Sequence, residues 1–490
     1  MHERDQRLAL LNTLLTTPHR DLAALHPLHR ETCAADPRFY VRLAAWYAER
    51  GDVRDHKEMF VLTLCLSAFE GHRDAGLALL RRLPPYEVVR VVDFIKGRVV
   101  RRKGEQEPVR EGLFANVPRS LRTEVARYLR EREAEPRKFD GAVLHARKAL
   151  KRLYAVLHVR PSERAQALLF DEEPPADSAA FAARAVARCA DPAEQARLIV
   201  AHRLPYRVAS SLVKEMTPEV VRALVRVMSP QEVINSLDML RRKGAFDDAG
   251  VKAVVESKLE QAKTATRVSA FKAEKALEAV PVSAEVKAKL EAVADAQVKA
   301  RGRIARPTAL LIDKSGSMSQ AIELGKRVGA MLAAVSDREL YVYAFDSIAY
   351  PVEAAGPELS AWEKALSGIT AGGNTSVGVG VEMLRRKKQY VEQIVVVTDE
   401  GENAEPRFVP ALLKYREELK ADPAVCFVKV AGATSQLEDE CKKAGVAADA
   451  YQFAGDYYAL PNLVPLLARP SKLELLQEVL EYPLPQRRPA

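Results

Sequence analysis

Five hydroxyl and carboxylate side chains follow apolar runs in the second half of the chain. Asp313, Ser315 and Ser317 alternate in "DKSGS", directly after "TALLI", while Thr375 lies in "AGGNTSVG" and Asp399 ends "QIVVVTD". Such oxygen atoms are the ligands that a hard divalent cation such as Mg²⁺ prefers. The five residues therefore predict an octahedral metal site with one open position. The alternative is that they only form hydrogen bonds and cap the next helix.

The elements that would position these residues alternate between strands and helices. The apolar runs "TALLID", "ELYVYAF", "QIVVVTD" and "AVCFVKV" predict strands, with helices from about Gln320 to Val335, near 359–367, over "VGVGVEMLRRKKQ" and at 408–420. This alternation predicts a doubly wound, mainly parallel sheet, in which ligands bind at the carboxyl ends of the strands. Both "DKSGS" and "TDEGEN" follow such ends. Glu400 and Glu402, beside Asp399, are candidates to alter the metal affinity.

The first half of the chain predicts short helices separated by proline-containing breaks. In "SPQEVINSLDMLRRKG", Ser229 and Glu232 form a capping box, Pro230 suits the first turn, and Gly244 ends the helix. Such helices stack into a solenoid because no single pair buries its own apolar face. Residues 250–303 predict two long helices with a break at Pro281. We therefore divide the chain into domains at 1–303 and 304–470, with a C-terminal helix or tail at 471–490.

The composition is that of a soluble globular protein. The 490 residues are 48% hydrophobic and 29% charged, and no apolar run reaches the roughly 20 residues of a membrane span. The start "MHERDQRLALLNTLL" predicts a helix and not a signal peptide. Five scattered cysteines without a CxxC motif indicate reduced thiols. We expect a cytoplasmic monomer without a membrane anchor.

Positive charge is concentrated in one stretch. The formal net charge is +9, and residues 96–160 contain eighteen Lys and Arg against eight Asp and Glu, a net of +10. A local positive field favours binding to the phosphates of nucleic acid. The alternative is a solvated helix face with internal ion pairs.

Within this stretch, one predicted helix carries most of the candidate RNA contacts. The basic residues close to one face are Lys138, His145, Lys148 and Arg152, and Arg147 and Lys151 are adjacent to them. Such a stripe can follow a phosphate backbone, and His145 and Tyr154 are candidates to stack on unpaired bases. Upstream, "KGRVVRRKGEQ" (96–106) predicts a flexible basic loop. Its RNA candidates are Arg101, Arg102 and Lys103.

The metal-site pattern resembles a known motif. D-x-S-x-S, a later Thr after paired glycines and a later Asp after an apolar strand are typical of the metal-ion-dependent adhesion site in the von Willebrand factor A fold. The resemblance implies that Ser315, Ser317 and Thr375 contact the metal directly, and that Asp313 and Asp399 act largely through water. It also implies that a carboxylate from a partner protein fills the open position.

The order of the two halves resembles the Ro autoantigen family, whose helical part is called the TROVE module. The resemblance rests on "DPRFYVRLAAWYAERGDVRDH", "LPYRVASSLVKEMTPEVVRALV" and "RVSAFKAEKAL", with a looser match in "ARKALKRLYAVLHV". It implies that HEAT-like helical repeats close into a ring sealed by the A-type domain. Small structured Y-like RNAs would bind its outer surface, and single-stranded RNA ends its central hole. Ro proteins contact RNA through a Lys and a later His-Lys pair, which is interrupted here as His145-Ala146-Arg147-Lys148.

The leading hypothesis is a non-catalytic ribonucleoprotein component acting in RNA quality control or decay. A nuclease or another RNA-processing factor is a possible partner at the metal site. The alternative is an adaptor that binds an acidic protein through the Mg²⁺ site while the helices only support it. A hydrolase is not expected, because the sequence lacks H-E-x-x-H, G-x-S-x-G and Walker motifs, and any supported Ser-His-Asp order.

Overall fold

The computed structural model describes residues 22–51, 54–100, 109–320, 322–430, 432–452, 464 and 472–487. Within them, the first part is helical apart from a hairpin of β1 (Arg98–Val100) and β2 (Val109–Glu111). No helix in these ranges is both long and apolar enough to cross a membrane. The helices before residue 300 are α1 (Leu22–Ala35), α2 (Pro37–Arg50), α3 (Arg54–Leu66), α4 (His72–Leu80), α5 (Pro85–Lys96), α6 (Arg119–Glu133), α7 (Pro136–Leu157), α8 (Glu163–Leu169), α9 (Ala179–Arg188), α10 (Pro192–Ala201), α11 (Tyr206–Leu212), α12 (Pro218–Val227), α13 (Pro230–Asn235), α14 (Leu237–Arg242), α15 (Ala249–Ala262), α16 (Ala270–Ala279) and α17 (Ala284–Lys299).

These helices stack against their neighbours, as the sequence predicts. Helix α3 packs on α4, α10 on α12, and α16 on α17. The large side chains of Phe39, Tyr40, Phe60 and Phe139 are fully buried between them. Each helix covers the apolar face of the next, which is how a helical repeat array builds a core. The predicted HEAT-like architecture is confirmed.

The predicted capping box at Ser229 is present, although the helix after it is shorter than expected. The Ser229 Oγ accepts the N–H of Glu232 at 3.3 Å, and the Ser229 N–H donates to Glu232 Oε2 at 2.9 Å. The helix then ends at Asn235, because Ser236 leaves helical geometry (φ −110°, ψ 7°) and a second helix starts at Leu237. The prediction of one helix up to Gly244 was wrong.

Residues 249–299 form three helices and not the two predicted. The break at Pro281 is confirmed, since it separates α16 from α17. A further break separates α15 from α16, where the Ser269 side chain caps the second helix by accepting the N–H of Lys272 at 3.4 Å. The Ala-, Lys- and Glu-rich composition hid this stop because it favours helix throughout.

The second part contains the predicted doubly wound sheet. Its strand order is β5–β4–β3–β6–β7–β8, with every pair parallel except β4 with β5. The strands are β3 (Thr308–Asp313), β4 (Leu340–Phe345), β5 (Ala349–Val352), β6 (Gln393–Thr398), β7 (Ala424–Lys429) and β8 (Ala448–Gln452). The helices are α18 (Ile322–Ala334), α19 (Leu359–Leu366), α20 (Gly378–Arg386), α21 (Phe408–Leu419) and α22 (Gln436–Lys443). Strands β5 and β8 were not predicted.

Both faces of this sheet are covered. In β3, Leu310 and Ile312 face the core shared with the helical region, whereas Ala309 and Leu311 face a second core under α20 and α21. All six residues of β3 are buried, which explains why the strand reads as a continuous apolar run.

The C-terminal segment packs against the first helices. Helix α23 (Lys472–Glu481) lies on α2, where Trp46 Nε1 donates to Glu478 Oε1 at 2.9 Å. Beyond it, Arg487 donates to the buried Glu124 carboxylate at 2.7 and 3.0 Å. At the other junction, α17 packs on α18 and α19. The two ends of the helical region therefore both contact the C-terminal part, and the chain closes on itself.

Candidate metal centre and RNA-binding surface

Asp313 is fixed at the centre of the sheet edge. It ends β3 and is fully buried. The N–H of Ser315 donates to Asp313 Oδ1 at 2.8 Å, and the hydroxyl of Thr398 donates to Oδ2 at 2.7 Å. Thr398 ends the adjacent parallel strand β6, so the pairing of the two strands brings these groups together. The two hydrogen bonds fix the orientation of the carboxylate.

The two serines of the loop lie next to each other. Ser315 Oγ and Ser317 Oγ are 3.1 Å apart, with Ser315 buried and Ser317 exposed. The buried side chain of Met318 anchors the turn that follows. The hydroxyl pair is therefore held by a rigid loop that opens to solvent on the side of Ser317.

The loop that carries Thr375 packs against the serine loop. The N–H of Gly316 donates to the carbonyl of Gly373 at 3.0 Å. Thr375 is buried, and its N–H donates to Asn403 Oδ1 at 2.9 Å while its carbonyl accepts the N–H of Asn403 at 3.0 Å. These bonds join the three predicted segments at one end of the sheet.

Asp399 adds a second carboxylate beside Asp313. Its Oδ1 accepts the N–H of Gly401 at 3.1 Å. The pKa of Asp313 is raised to about 6, mainly by burial and to a smaller extent by the charge of Asp399, and the hydrogen bonds from Ser315 and Thr398 oppose the shift. Two nearby carboxylates without a Lys or Arg partner among the described residues favour binding of a cation. This oxygen-rich group fits the predicted Mg²⁺ site.

Glu400 and Glu402 make other contacts. Glu402 Oε1 accepts the N–H groups of Val377 at 2.8 Å and Gly378 at 3.2 Å, at the start of α20. Glu400 is buried in a left-handed conformation (φ 63°), 3.6 Å from the Lys429 ammonium. Burial raises the pKa of both carboxyls to about 7. Neither forms a hydrogen bond with the serine loop.

Asp346 lies at the same sheet edge and was not predicted. It follows β4, pairs with Lys314 of the serine loop, and accepts the N–H of Ile348 at 2.8 Å. Lys314 also lies 5.0 Å from the ring centroid of Tyr350. Asp346 ends the apolar run "YVYAFD" in the same way as Asp313 ends its own, and that signal was available in the sequence.

The predicted basic stripe lies on the surface of α7. Lys138, His145, Arg147, Lys148 and Arg152 are exposed, and Lys151 is half-buried. Lys138 pairs with Glu135, Arg152 donates to Asp93 at 2.7 and 2.8 Å, and Arg147 donates to the carbonyl of Leu169 at 3.0 Å. His145 and Lys148 form no hydrogen bond or ion pair with the described residues.

A kink divides this stripe. Ala146 has non-helical angles (φ −134°, ψ 31°) between His145 and Arg147. The residues before and after the kink therefore do not share one straight helix face, as their spacing had predicted. The kink falls where the His-Lys pair of the Ro pattern is interrupted.

Tyr154 belongs to the core, so its ring is not available to stack on bases. Its side chain is only 2% exposed, and its hydroxyl donates to Glu133 Oε1 at 2.5 Å. The prediction of Tyr154 as a stacking residue was wrong. Its ring meets the exposed ring of Phe170 edge-on, at 6.4 Å between centroids.

The upstream basic segment is partly a strand. Residues Arg98–Val100 pair with Val109–Glu111, and Arg98 donates two hydrogen bonds to Glu111 Oε2 at 2.9 and 3.0 Å. The expectation of a loop over the whole of 96–106 was therefore wrong. Arg101, Arg102 and Lys103 lie outside the described residues.

Most of the chain is similar to a solved structure. It matches the crystal structure of the Deinococcus radiodurans RO (RSR) protein with a TM-score of 0.60, over 90% of this chain and 93% of that chain. This chain has the Ro fold. The sequence identity is 17%, so the similarity shows the fold alone. No family model and no curated protein matches the sequence. The Ro fold combines helical repeats with a C-terminal doubly wound sheet, as predicted here.

Proposed function

We propose that this protein binds RNA, without catalysing a reaction, as a cytoplasmic ribonucleoprotein component in RNA quality control or decay. Its ligands would be small structured noncoding RNA and single-stranded RNA ends. The observation that carries the proposal is the exposed basic surface of α7 on a Ro fold. There His145 and Lys148 have no partner among the described residues, so their donors are available to phosphates.

The paired basic residues of the surface also support this proposal. Lys138 and its partner Glu135 are 75% and 56% exposed, and Arg152 is 51% exposed beside Asp93. Exposed ion pairs contribute only about 0–1 kcal/mol, so exchange of these carboxylates for phosphates costs little. The α7 surface can therefore follow an RNA backbone without unfolding any part of the protein.

The test is RNA affinity measured against salt concentration by fluorescence anisotropy. Affinity should fall with salt, by a slope of roughly 0.7 per phosphate contacted on a single strand. Combined reversal of Lys138, Arg147 and Lys148 to Glu should weaken binding strongly, whereas Asp313→Ala should leave it largely intact.

A matched control reverses the same number of charges elsewhere. Lys287, Lys414 and Lys442 are exposed lysines outside α7, and their combined change to Glu should have little effect. An RNA affinity that does not change with salt concentration would contradict the RNA-binding proposal. Loss of RNA binding in a folded Asp313→Ala protein would contradict the separation of the two sites.

A second candidate function is supported by the arrangement around Asp313. We propose that Ser315, Ser317 and Thr375 hold a Mg²⁺ ion directly and that Asp313 and Asp399 hold it through water. When bound, the ion would accept a carboxylate from a partner protein, such as a nuclease or another RNA-processing factor. An adaptor without RNA affinity would show metal-dependent binding of its partner and no salt-dependent binding of RNA. The RNA titrations against salt therefore distinguish the adaptor from the RNA-binding protein.

A further inference from the structure

The surface beside the α7 stripe contains an exposed aromatic ring. Phe170 directly follows α8 and is 40% exposed. Its N–H donates to the carbonyl of Gln166 at 2.8 Å, which fixes the backbone at the end of the helix. The edge contact with the buried Tyr154 supports one side of the ring. Phe170 is therefore held in place while part of its surface remains open.

Two residues of the basic stripe flank this ring. The Lys151 ammonium lies over Phe170, 5.3 Å from the ring centroid. Arg147 donates to the carbonyl of Leu169, the residue before Phe170, at 3.0 Å. An aromatic face beside cationic groups is the combination that binds single-stranded nucleic acid, because a base stacks on the ring while its phosphates meet the charges.

We propose that Phe170 is a stacking platform for one unpaired base of single-stranded RNA, with Arg147 and Lys148 holding the adjacent phosphates. The inference rests on the proposed RNA-binding function and adds to it a reason to prefer single strands. A duplex keeps its bases stacked and paired, so they do not reach the ring.

Three acidic residues beside Phe170 in the chain disfavour phosphates there. Asp171, Glu172 and Glu173 are exposed and directly follow the ring in the chain. They repel phosphates, so we expect the phosphates next to the stacked base to be held by Arg147 and Lys148. Only the neutral base then reaches Phe170.

The test compares single-stranded with duplex RNA on the full chain. With labelled oligoadenosine, Phe170→Ala should lower the affinity by roughly 5- to 150-fold, the range for loss of one base–aromatic stack. Binding of an RNA duplex should not change. The dependence on salt should also remain the same, because no charge is removed. If the RNA strand carries a 2-aminopurine base, the wild type should quench its fluorescence by stacking, and Phe170→Ala should not.

Three further variants separate stacking from a structural role. Phe170→Tyr keeps the aromatic face and should keep the affinity, whereas Phe170→Leu keeps an apolar side chain and should lose it. Phe69, 43% exposed and in contact with the ring of His72, is the matched control, and Phe69→Ala should bind like the wild type.

The possible failures are distinguishable. Equal losses for single strands and duplexes, or full affinity in folded Phe170→Leu, would overturn the stacking inference and leave RNA binding intact. A wild-type protein that binds neither probe would instead refute the proposed function.

Discussion

Two clusters of buried carboxylates, one in the helical region and one around Asp313 at the sheet edge, differ in their partners. In the helical region, Arg90 lies 2.8 Å from Asp55 and 2.9 Å from Glu58, and both carboxylates are buried. In the sheet region, buried Asp313 lies near Asp399 and accepts only uncharged donors among the described residues. In the first cluster the Arg90 guanidinium contacts both carboxylates and burial favours the protonated form of Glu58, whereas Asp313 and Asp399 have no cationic partner among the described residues. Surplus charge marks where an external ligand is needed.

The same comparison extends to the molecular surface. Lys148 and His145 on α7 have no described partner, and the surrounding ion pairs are exposed. The α7 surface of the helical region therefore presents positive charge to solvent, which suits a polyanion. The sheet edge is negative inside a rigid loop, which suits a small cation. The two candidate sites need opposite charges, so they can bind independently.

The largest expected effect on stability comes from removing the Arg90 cation from the interior of the helical region. Arg90→Met removes the guanidinium that contacts the buried carboxylates of Asp55 and Glu58, and loss of one partner from a buried pair costs about 3–5 kcal/mol. Urea unfolding measures the change. Arg82→Met is the control, because Arg82 and Glu49 are each 52% exposed, and it should cost at most about 1 kcal/mol. Equal losses in both variants would show that burial of the pair is irrelevant.

The second prediction concerns pH. Burial raises the pKa of Glu58 to about 8, with Arg90 opposing the shift and Glu87 and Asp55 adding to it. Between the ordinary pKa of 4.5 and this value, the folded state holds a proton that the unfolded state has released. Stability contributed by this group is therefore full at acid pH and falls as the pH rises through that window.

The slope for one proton is at most about 1.4 kcal/mol per pH unit. Glu58→Gln should flatten this part of the stability curve, measured by urea unfolding at a series of pH values. The exposed Glu215→Gln is the control and should keep the wild-type slope. An unchanged slope in Glu58→Gln would mean that Glu58 stays ionised inside the fold.

The third prediction addresses the surplus charge of the sheet edge. Mg²⁺ at about 100 times its Kd should stabilise the wild type by roughly 2.7 kcal/mol, seen as a higher thermal midpoint. Asp313→Asn should remove most of this gain. Asp346→Asn, at the neighbouring strand end but paired with Lys314, should keep it. Equal stabilisation of wild type and Asp313→Asn would contradict a metal site at this position.

The sequence predicted these two regions to different extents. The candidate residues of the sheet site could be predicted because Asp313 ends one buried strand and Asp399 follows another, and the parallel pairing of these strands brings them together. Strand β5 was missed because it is short, contains Pro351 and exposes Tyr350. An edge strand can form without a continuous apolar run and without a hydrogen bond from every backbone N–H. The local sequence therefore contains little that predicts it.

On α7, the spacing of residues in the sequence gave wrong predictions because tertiary packing decides which side chains are exposed. The kink at Ala146 breaks the helical period, and packing buries Tyr154 against Glu133 while leaving Phe170 exposed. Which of two aromatic rings reaches solvent depends on the helices that cover them, and no local pattern encodes this. The concentration of positive charge in residues 96–160, in contrast, can be read from the sequence without knowledge of the fold.

The smallest expected effect on stability comes from the α7 surface itself. Lys148→Ala removes an exposed side chain without a described partner, so unfolding free energy should change by less than about 0.5 kcal/mol. RNA affinity should nevertheless fall, and the salt slope should decrease by roughly 0.7 for single-stranded RNA, as for one lost phosphate contact. Lys287→Ala, equally exposed on α17, should change neither quantity. A loss of stability that matches the loss of affinity would show that Lys148 supports the fold, and would remove the contrast between the ion pairs of the interior and a surface charged for a ligand.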